Sequence, residues 1–203
     1  LALSPQAIVV HRSHPAQSLK AFIEWARQKG AATTYATVGP GTSQHVMGAK
    51  FRAMTGLDLT YVPFPGGAPA VTALVGGHVD MVLQNLSESI EQIRAGTLRA
   101  LAVTGRTRLE SMPDVPTIEE SGLADFGLEV FFGLVARRGT PAEAVSLLNA
   151  EVRRALRAPA VRERLLNFSM FPVDASVEAF GAYLKTNGER FTLAARSAGV
   201  SIE

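Results

Sequence analysis

The chain lacks several features that would reveal a function at once. Its 203 residues include no cysteine, which excludes disulfides, thiolate nucleophiles and cysteine-ligated zinc. No run of about 18 apolar residues occurs, so we expect no membrane-spanning helix. Lys and Arg number 20 against 18 Asp and Glu. This balance lacks the charge excess of a nucleic-acid-binding domain, so no nucleic-acid partner is expected.

Patterns typical of catalysis and metal binding are also scarce. His11, His14 and His78 are dispersed without metal-ligand spacing, so we expect no metal and no cofactor. His45 would need a nucleophile and an orienting carboxylate to act as a general base. The chain has no Gly-x-Ser-x-Gly elbow to supply that nucleophile. We therefore expect a binding protein and not an enzyme.

Hydrophobic residues make up 47% of the chain, and their pattern predicts an α/β fold. Strands are predicted at 7–11, 33–37, 59–62, 79–83, 98–104, 128–136 and 170–173. Helices are predicted at 15–29, 43–55, 68–75, 87–95, 117–121, 140–156, 159–167 and 176–198, with Ser18 and Ser176 at helix starts and Gly56 at a helix end. The regular alternation before residue 105 predicts a mostly parallel sheet covered on both faces.

Two glycine-rich loops stand between a predicted strand and a predicted helix. The first is residues 39–45 and the second is residues 63–70. Free backbone N–H groups and the helix dipole at a helix start favour an anion. The first loop lacks the Gly-Lys-Ser/Thr ending of a nucleotide-triphosphate loop and the glycine spacing of a dinucleotide site. The pair therefore predicts a site for a small carboxylate- or phosphate-like group.

The candidate residues in and near these loops also have purely structural interpretations. Thr42 or Ser43 can simply cap the helix that follows. His45 can contact an anion or hydrogen-bond the loop. Phe64 can line a ligand cleft or fill the core beneath the turn. Asn85 follows a strand at the carboxyl edge of the sheet, where it can bind a ligand or form a turn. Local chemistry leaves both interpretations open.

The order of several motifs along the chain is more specific than any one of them. The motifs are Gly39-x-Gly41-Thr42-x-x-His45, Val62-Pro63-Phe64-x-Gly66-Gly67-Ala68-Pro69-Ala70, Leu74-x-Gly76-Gly77-x-Val79-Asp80 and Leu98-Arg99-Ala100-Leu101-Ala102-Val103-Thr104. In this order they resemble the Bug proteins, the TctC-like extracytoplasmic solute receptors of tripartite tricarboxylate transporters. The resemblance covers nearly the whole chain.

The resemblance implies a periplasmic-binding-protein fold of two lobes. Between them a small carboxylate would be held by backbone amides, hydroxyls and ordered waters, without catalysis. The ligand would be a di- or tricarboxylate, an amino acid or an aromatic acid. The resemblance assigns ligand-binding roles to Gly41, Thr42, Ser43 and His45 in the first loop, Phe64, Gly66, Gly67 and Ala68 in the second, and Asn85 at the cleft edge.

The resemblance also implies how the chain is divided. We expect residues 9–130 to form a complete ligand-binding lobe, and residues 1–8 with 131–203 to form a remnant of the other lobe with the C-terminal helices. The chain begins at Leu1 with neither Met nor a signal peptide, so we expect that lobe to be N-terminally truncated. Its exposed apolar surface would then favour self-association of this fragment, whereas a monomer is expected at full length.

The chain departs from the family at positions near the ligand. Family members usually carry Tyr where Phe64 stands, often Lys at Pro65, and commonly Asp at Gln84. Loss of a tyrosine hydroxyl and of a carboxylate would change which solute is accepted.

We therefore expect a periplasmic receptor that captures a small carboxylate and presents it to membrane transporter subunits. The alternative is the effector-binding domain of a transcriptional regulator with the same fold. A helix-turn-helix encoded upstream would support that alternative, and a signal peptide encoded upstream would exclude it.

Overall fold

The computed structural model describes residues 2–128 and 130–200. Its strands are β1 (Ala2–Ser4), β2 (Gln6–His11), β3 (Thr34–Val38), β4 (Thr60–Phe64), β5 (Met81–Asn85), β6 (Leu98–Val103), β7 (Val130–Phe132) and β8 (Phe171–Pro172). Its α-helices are α1 (Leu19–Lys29), α2 (Ser43–Thr55), α3 (Gly67–Val75), α4 (Ile90–Arg94), α5 (Ala142–Arg157), α6 (Pro159–Asn167) and α7 (Val177–Ser197). Short 3₁₀ turns cover Gly30–Ala32 and Leu86–Glu88.

The larger sheet has five strands in the order β4-β3-β5-β2-β6. Strand β3 is parallel to both of its neighbours, β4 and β5, as the sequence predicts. Strand β2 is antiparallel to β5 and β6, so the sheet is mixed. The reason is that β2 enters from β1 through Pro5 alone, at the edge where β5 ends, and not through a helical crossover.

Helices cover both faces of this sheet, and a core lies under each layer. Alternate side chains of β2 point to opposite faces, so Ile8 and Val10 join one core while Ala7 and Val9 join the other. The first core includes Leu19, Phe22, Tyr35, Met47, Phe51, Met81, Leu83, Phe126, Ala194 and Ala195. The second includes Ala36, Val71, Leu74, Val82, Leu86, Ile90, Leu98 and Val103. The double burial explains why residues 7–10 of β2 and 81–83 of β5 are continuously apolar.

Short polar and glycine signals set the helix ends as predicted. Ser18 and Ser176 each accept a hydrogen bond from the first turn of their helix, at 3.1 Å. Gly56 ends α2 in the left-handed region at φ 65°. The bounds predicted for α2 and α6 are confirmed.

The helix predicted at 15–29 begins only at Leu19, and the helix predicted at 87–95 is a 3₁₀ turn followed by the five-residue α4. Two further predicted elements differ more strongly in the structure. The helix predicted at 117–121 is wrong, because Glu120 accepts the Thr117 N–H at 2.8 Å and Gly122, at φ 99°, closes a single turn. The strand predicted at 128–136 is β7, which has only three residues. Residue 129 lies outside the described residues.

Strand β7 belongs to a second, antiparallel sheet with the order β7-β1-β8. Helix α7 contacts both halves of the molecule. Near its start, Phe180 and Tyr183 pack edge-on against Phe131, with ring centroids 5.9 and 5.2 Å away. Near its end, Ala194 and Ala195 are buried in the first core beside α2. Within the part of the chain described, no helix combines the length and the apolar character needed to cross a bilayer.

Candidate functional site

The two glycine loops lie side by side at one edge of the larger sheet. Val38 at the end of β3 pairs with Phe64 at the end of β4. One residue further on, the Gly39 N–H donates to the Phe64 carbonyl at 3.1 Å. Strand β5, on the other side of β3, ends at Asn85. The fold thus brings all nine predicted site residues to the carboxyl ends of three adjacent parallel strands.

Thr42 begins helix α2 as its N-cap, so the capping interpretation describes what this side chain does. Its Oγ1 accepts the His45 N–H at 3.2 Å and donates to the Gly39 carbonyl at 2.9 Å. The helical ladder starts with the Val46 N–H, which donates to the Thr42 carbonyl at 3.1 Å. This geometry leaves the N–H groups of the first two helical residues, Ser43 and Gln44, without an intrahelical acceptor.

The His45 ring lies beside this helix start in a setting that favours its uncharged form. Its ring stacks on Tyr61 with centroids 4.9 Å apart and an interplanar angle of 23°. Its Nδ1 accepts the Gly41 N–H at 3.4 Å, so in the neutral ring Nε2 carries the proton. Burial lowers the pKa of His45, which keeps the ring neutral at pH 7. Gly41 itself has φ 80°, a conformation that favours glycine.

The second loop opens α3 without a side-chain cap. Gly66 is the N-cap and makes no side-chain bond, and the first intrahelical acceptor is its carbonyl, which takes the Ala70 N–H at 3.4 Å. Pro69 has no N–H, so Gly67 and Ala68 supply the two N–H groups that lack an intrahelical acceptor. Two adjacent helix starts therefore present free N–H groups at one sheet edge.

Phe64 connects this loop to the core. Its side chain is half-buried and packs against the second core, which agrees with the core-filling interpretation. The exposed remainder lies at the loop edge, so the ligand-contact interpretation stays a prediction.

Asn85 is part of a polar chain that runs across the sheet edge. It is 8% exposed, its Oδ1 accepts from Gln6 Nε2 at 3.4 Å, and its Nδ2 donates to Glu88 Oε1 at 3.5 Å. The Gln6 N–H donates to Thr104 Oγ1 at 2.9 Å. Sequence analysis missed Gln6, Thr104 and Glu88. Gln6 reaches this edge because β2 runs antiparallel to β5, a direction that local patterning does not indicate. Thr104 directly follows β6, which runs in the same direction as β5 and has its carboxyl end at this edge.

This edge has unused hydrogen-bonding capacity. Gln84 is fully buried, and neither Nε2 nor Oε1 of its side chain has a partner among the described residues. Gln6 Oε1 and Glu88 Oε2 are also buried atoms that have no hydrogen-bond partner among the described residues. Buried polar atoms without partners cost free energy, so ordered water or a polar ligand is expected to contact some of them.

The described residues contain no group of three or more His, Asp or Glu side chains that could hold a metal ion. The edge presents backbone N–H groups, hydroxyls, side-chain amides and the Glu88 carboxyl group. The N–H donors among them can bind and orient an anion.

Comparison of the sequence with known proteins finds a family and several relatives. The family model described as "Tripartite tricarboxylate transporter family receptor" matches residues 1–192. A protein encoded in the tcbD–tcbE intergenic region of Pseudomonas sp. strain P51 is 34% identical over 191 residues, which cover 94% of this chain and 57% of that protein. BugT of Bordetella pertussis is 29% identical over 199 residues, covering 98% of this chain and 61% of that protein. The chain thus spans about three fifths of the length of these curated relatives.

Solved structures of high similarity include two from Rhodopseudomonas palustris. Rpa4515 with adipate superposes with a TM-score of 0.93 at 30% identity, covering 99% of this chain and 67% of that one. MatC with bound malate superposes with a TM-score of 0.88 at 28% identity, covering 96% and 67%. These likenesses confirm the predicted α/β fold of the periplasmic-binding-protein type. The chain belongs to the Bug, or TctC-like, family of tripartite tricarboxylate transporter receptors.

Proposed function

We propose that this chain supplies one wall of the ligand cleft of a periplasmic solute receptor, which binds a small carboxylate and delivers it to a tripartite tricarboxylate transporter. The observation that carries the proposal is the pair of adjacent helix starts, α2 and α3, whose loops are joined by the bond from Gly39 to Phe64. Family membership supports the receptor role. The adipate and malate bound in two similar structures support a carboxylate ligand.

In this proposal the ligand carboxylate lies at the start of α2. The free N–H groups of Ser43 and Gln44 and the Nε2–H of His45 are the donors that surround it. Bonds from such donors to a charged acceptor contribute about 1.5–3 kcal/mol each, and the positive end of the helix dipole adds to them. A neutral His45 suits this role because it donates without requiring a proton from solvent.

The proposed receptor has two lobes. Residues 9–130 would form the lobe that carries both loops, and residues 1–8 with 131–203 would belong to the other lobe. The two separate sheets support a division of this kind. Because β2 begins at Gln6 and pairs throughout with the larger sheet, they favour a boundary at Pro5 and not after residue 8. Closure of the lobes would exclude water from the bound carboxylate. No chemical step is needed for this function, and a monomeric receptor with membrane transporter subunits as partners is sufficient.

Isothermal titration calorimetry on the full-length gene product tests the proposal. The panel contains mono-, di- and tricarboxylates, amino acids and aromatic acids. We expect saturable binding of at least one acid, and a weaker affinity for that acid in His45→Phe, which retains a ring for stacking and removes the N–H donor. His78→Phe is the matched control, because His78 is exposed and lies beyond the C-terminal end of α3, away from the loop that opens this helix. Absence of binding across the panel would contradict the proposal.

A further inference from the structure

An acidic side chain of the protein lies on the second loop. Glu88 ends the 3₁₀ turn that follows β5. A Cβ atom placed on Gly67 would lie 2.2 Å from both Cδ and Oε2 of Glu88 and 2.6 Å from its Oε1. The carboxyl group therefore rests directly on the first residue of α3, at the helix end that attracts anions.

This carboxyl group has few partners. The Asn85 Nδ2 donor is 3.5 Å from Oε1, at the outer limit for a hydrogen bond. Oε2 is buried without a partner among the described residues. The described part of the chain gives Glu88 no ion pair with Lys, Arg or His within 4.0 Å. In agreement with this geometry, burial raises the pKa of Glu88 despite the bonds from Asn85.

Glu88 does not act here as a hydrogen-bonded helix cap. Among the described residues, the hydrogen bond that Glu88 Oε1 accepts comes from Asn85 Nδ2 and Oε2 has none, so the carboxyl group packs on Gly67 without accepting an N–H of α3. The carboxyl group lies between Gly67 and Asn85, two of the predicted ligand-binding residues. Because Oε2 accepts no hydrogen bond there, a capping role alone does not explain its position.

We propose that Glu88 is a specificity-determining residue, which takes the anion position on the second loop and favours a ligand that brings a protonated amino group there. The inference rests on the proposed function, since it assumes that the ligand carboxylate lies at the start of α2. A second ligand carboxylate near α3 is disfavoured by like-charge repulsion. The ligand class is therefore a small amino acid, and simple dicarboxylates of the same length are the rejected class.

Matched ligand pairs isolate the amino group. Aspartate differs from succinate, and glutamate from glutarate, by one ammonium group in place of hydrogen. Calorimetry on the full-length gene product is expected to show that the amino acid of the better-bound pair binds roughly tenfold to a hundredfold more tightly than its partner, the range of a hydrogen bond to a charged group. This comparison needs no variant, so it does not depend on how a substitution folds.

The variant Glu88→Gln removes the charge and keeps the shape. We expect it to weaken amino-acid binding and to strengthen dicarboxylate binding, reducing the preference at least tenfold. Glu91→Gln is the matched control, because Glu91 is an exposed acid on α4 that pairs with Arg94. A melting temperature for Glu88→Gln at pH 7 that is not below that of the unmodified protein shows that the change in preference does not come from misfolding.

The outcomes separate the two proposals. Binding of none of the four ligands or of the wider panel overturns the proposed function, and the inference falls with it. Within the better-bound pair, a dicarboxylate that binds as tightly as its amino acid overturns the role of Glu88 while the proposed function stands. An unchanged preference in folded Glu88→Gln does the same.

Discussion

Asp80 is the best-anchored carboxylate near the larger sheet. Lys29 Nζ donates to its Oδ1 at 2.8 Å, and the Thr34 N–H and hydroxyl donate to its Oδ2 at 2.8 and 2.9 Å. Burial opposes ionisation, but the bonds from Lys29 and Thr34 outweigh it and lower the pKa of Asp80. The carboxylate thus links the end of α1 to the starts of β3 and β5.

Asp80→Asn should lower the free energy of unfolding by about 2 kcal/mol at pH 7, because it weakens three charge-assisted contacts. The unfolded pKa of Asp is about 3.9, and the folded pKa is lower. The stabilisation is therefore fully present above about pH 5 and is lost as the pH falls through the folded pKa. Urea titrations between pH 2 and 7 measure this difference, with Glu91→Gln as the exposed control. A difference that stays constant down to pH 2 would contradict an ionic origin.

Gly67 and Glu88 should be energetically coupled. Gly67→Ala places a methyl group within 2.2 Å of the Glu88 carboxyl. The end of the Glu88 side chain must then move away, and we expect a loss of about 1 kcal/mol in stability. Combination with Glu88→Ala should recover most of that loss, and a double-mutant cycle measures the coupling. Gly181→Ala on α7 is the control, since a Cβ there meets nothing within 4 Å, and it should be neutral or stabilising. Strict additivity of the two changes would rule out the contact.

At the scale of the elements, the stability of α2 depends on its cap. Thr42→Ala removes the acceptor of the His45 N–H and should cost about 1 kcal/mol in chemical denaturation, whereas Thr42→Ser should retain most of it. Because fraying of the first turn displaces the donors of Ser43 and Gln44, the alanine variant should also lose affinity for the bound acid. Equal stability of the two variants would show that the hydroxyl is dispensable.

Helix ends were the most predictable part of the fold. Ser18, Gly56 and Ser176 act locally, through side-chain bonds or backbone conformation that neighbouring residues alone decide. The direction of β2 was not predictable, because it depends on which strands of another region lie beside it. The same holds for the three-residue β7, whose length is set by pairing with β1.

The candidate site was predictable in outline only. Each glycine loop follows a predicted strand, and the carboxyl ends of parallel strands lie at the same edge of a sheet. The sequence alone therefore predicts that Gly41 and Gly67 lie near each other. Gln6 reaches the edge through a strand whose direction differs from the prediction. Glu88 lies where an anion site would be expected to avoid negative charge, and no local pattern indicates it.

At the scale of the whole molecule, one region is rich in exposed apolar side chains. Leu134, Val135 and Leu148 are 70%, 79% and 54% exposed. With Val145 and Phe180, Leu134 and Leu148 line an apolar groove of about 290 Å³. Helix α5 has no buried side chain, although its apolar residues share one face. This surface supports the prediction that the 203-residue chain self-associates.

Light scattering on this chain should therefore show a mass that rises with concentration. Leu148→Glu places a charge in the groove and should shift the equilibrium toward monomer. Arg154→Gln, an exposed change on the same helix, is the matched control and should leave the mass unchanged. A monomer at all concentrations would refute self-association.

Helix α7 has a mechanical consequence for the loops. It is 21 residues long, or about 31 Å at 1.5 Å per residue, and it touches Phe131 near one end and packs beside α2 near the other. It therefore forms a rigid connection between the antiparallel sheet and α2, the helix that starts at the first loop. A rotation of that sheet would therefore be transmitted to α2, which begins at Ser43 beside Thr42 and His45, through a helix as well as through the chain at Pro5.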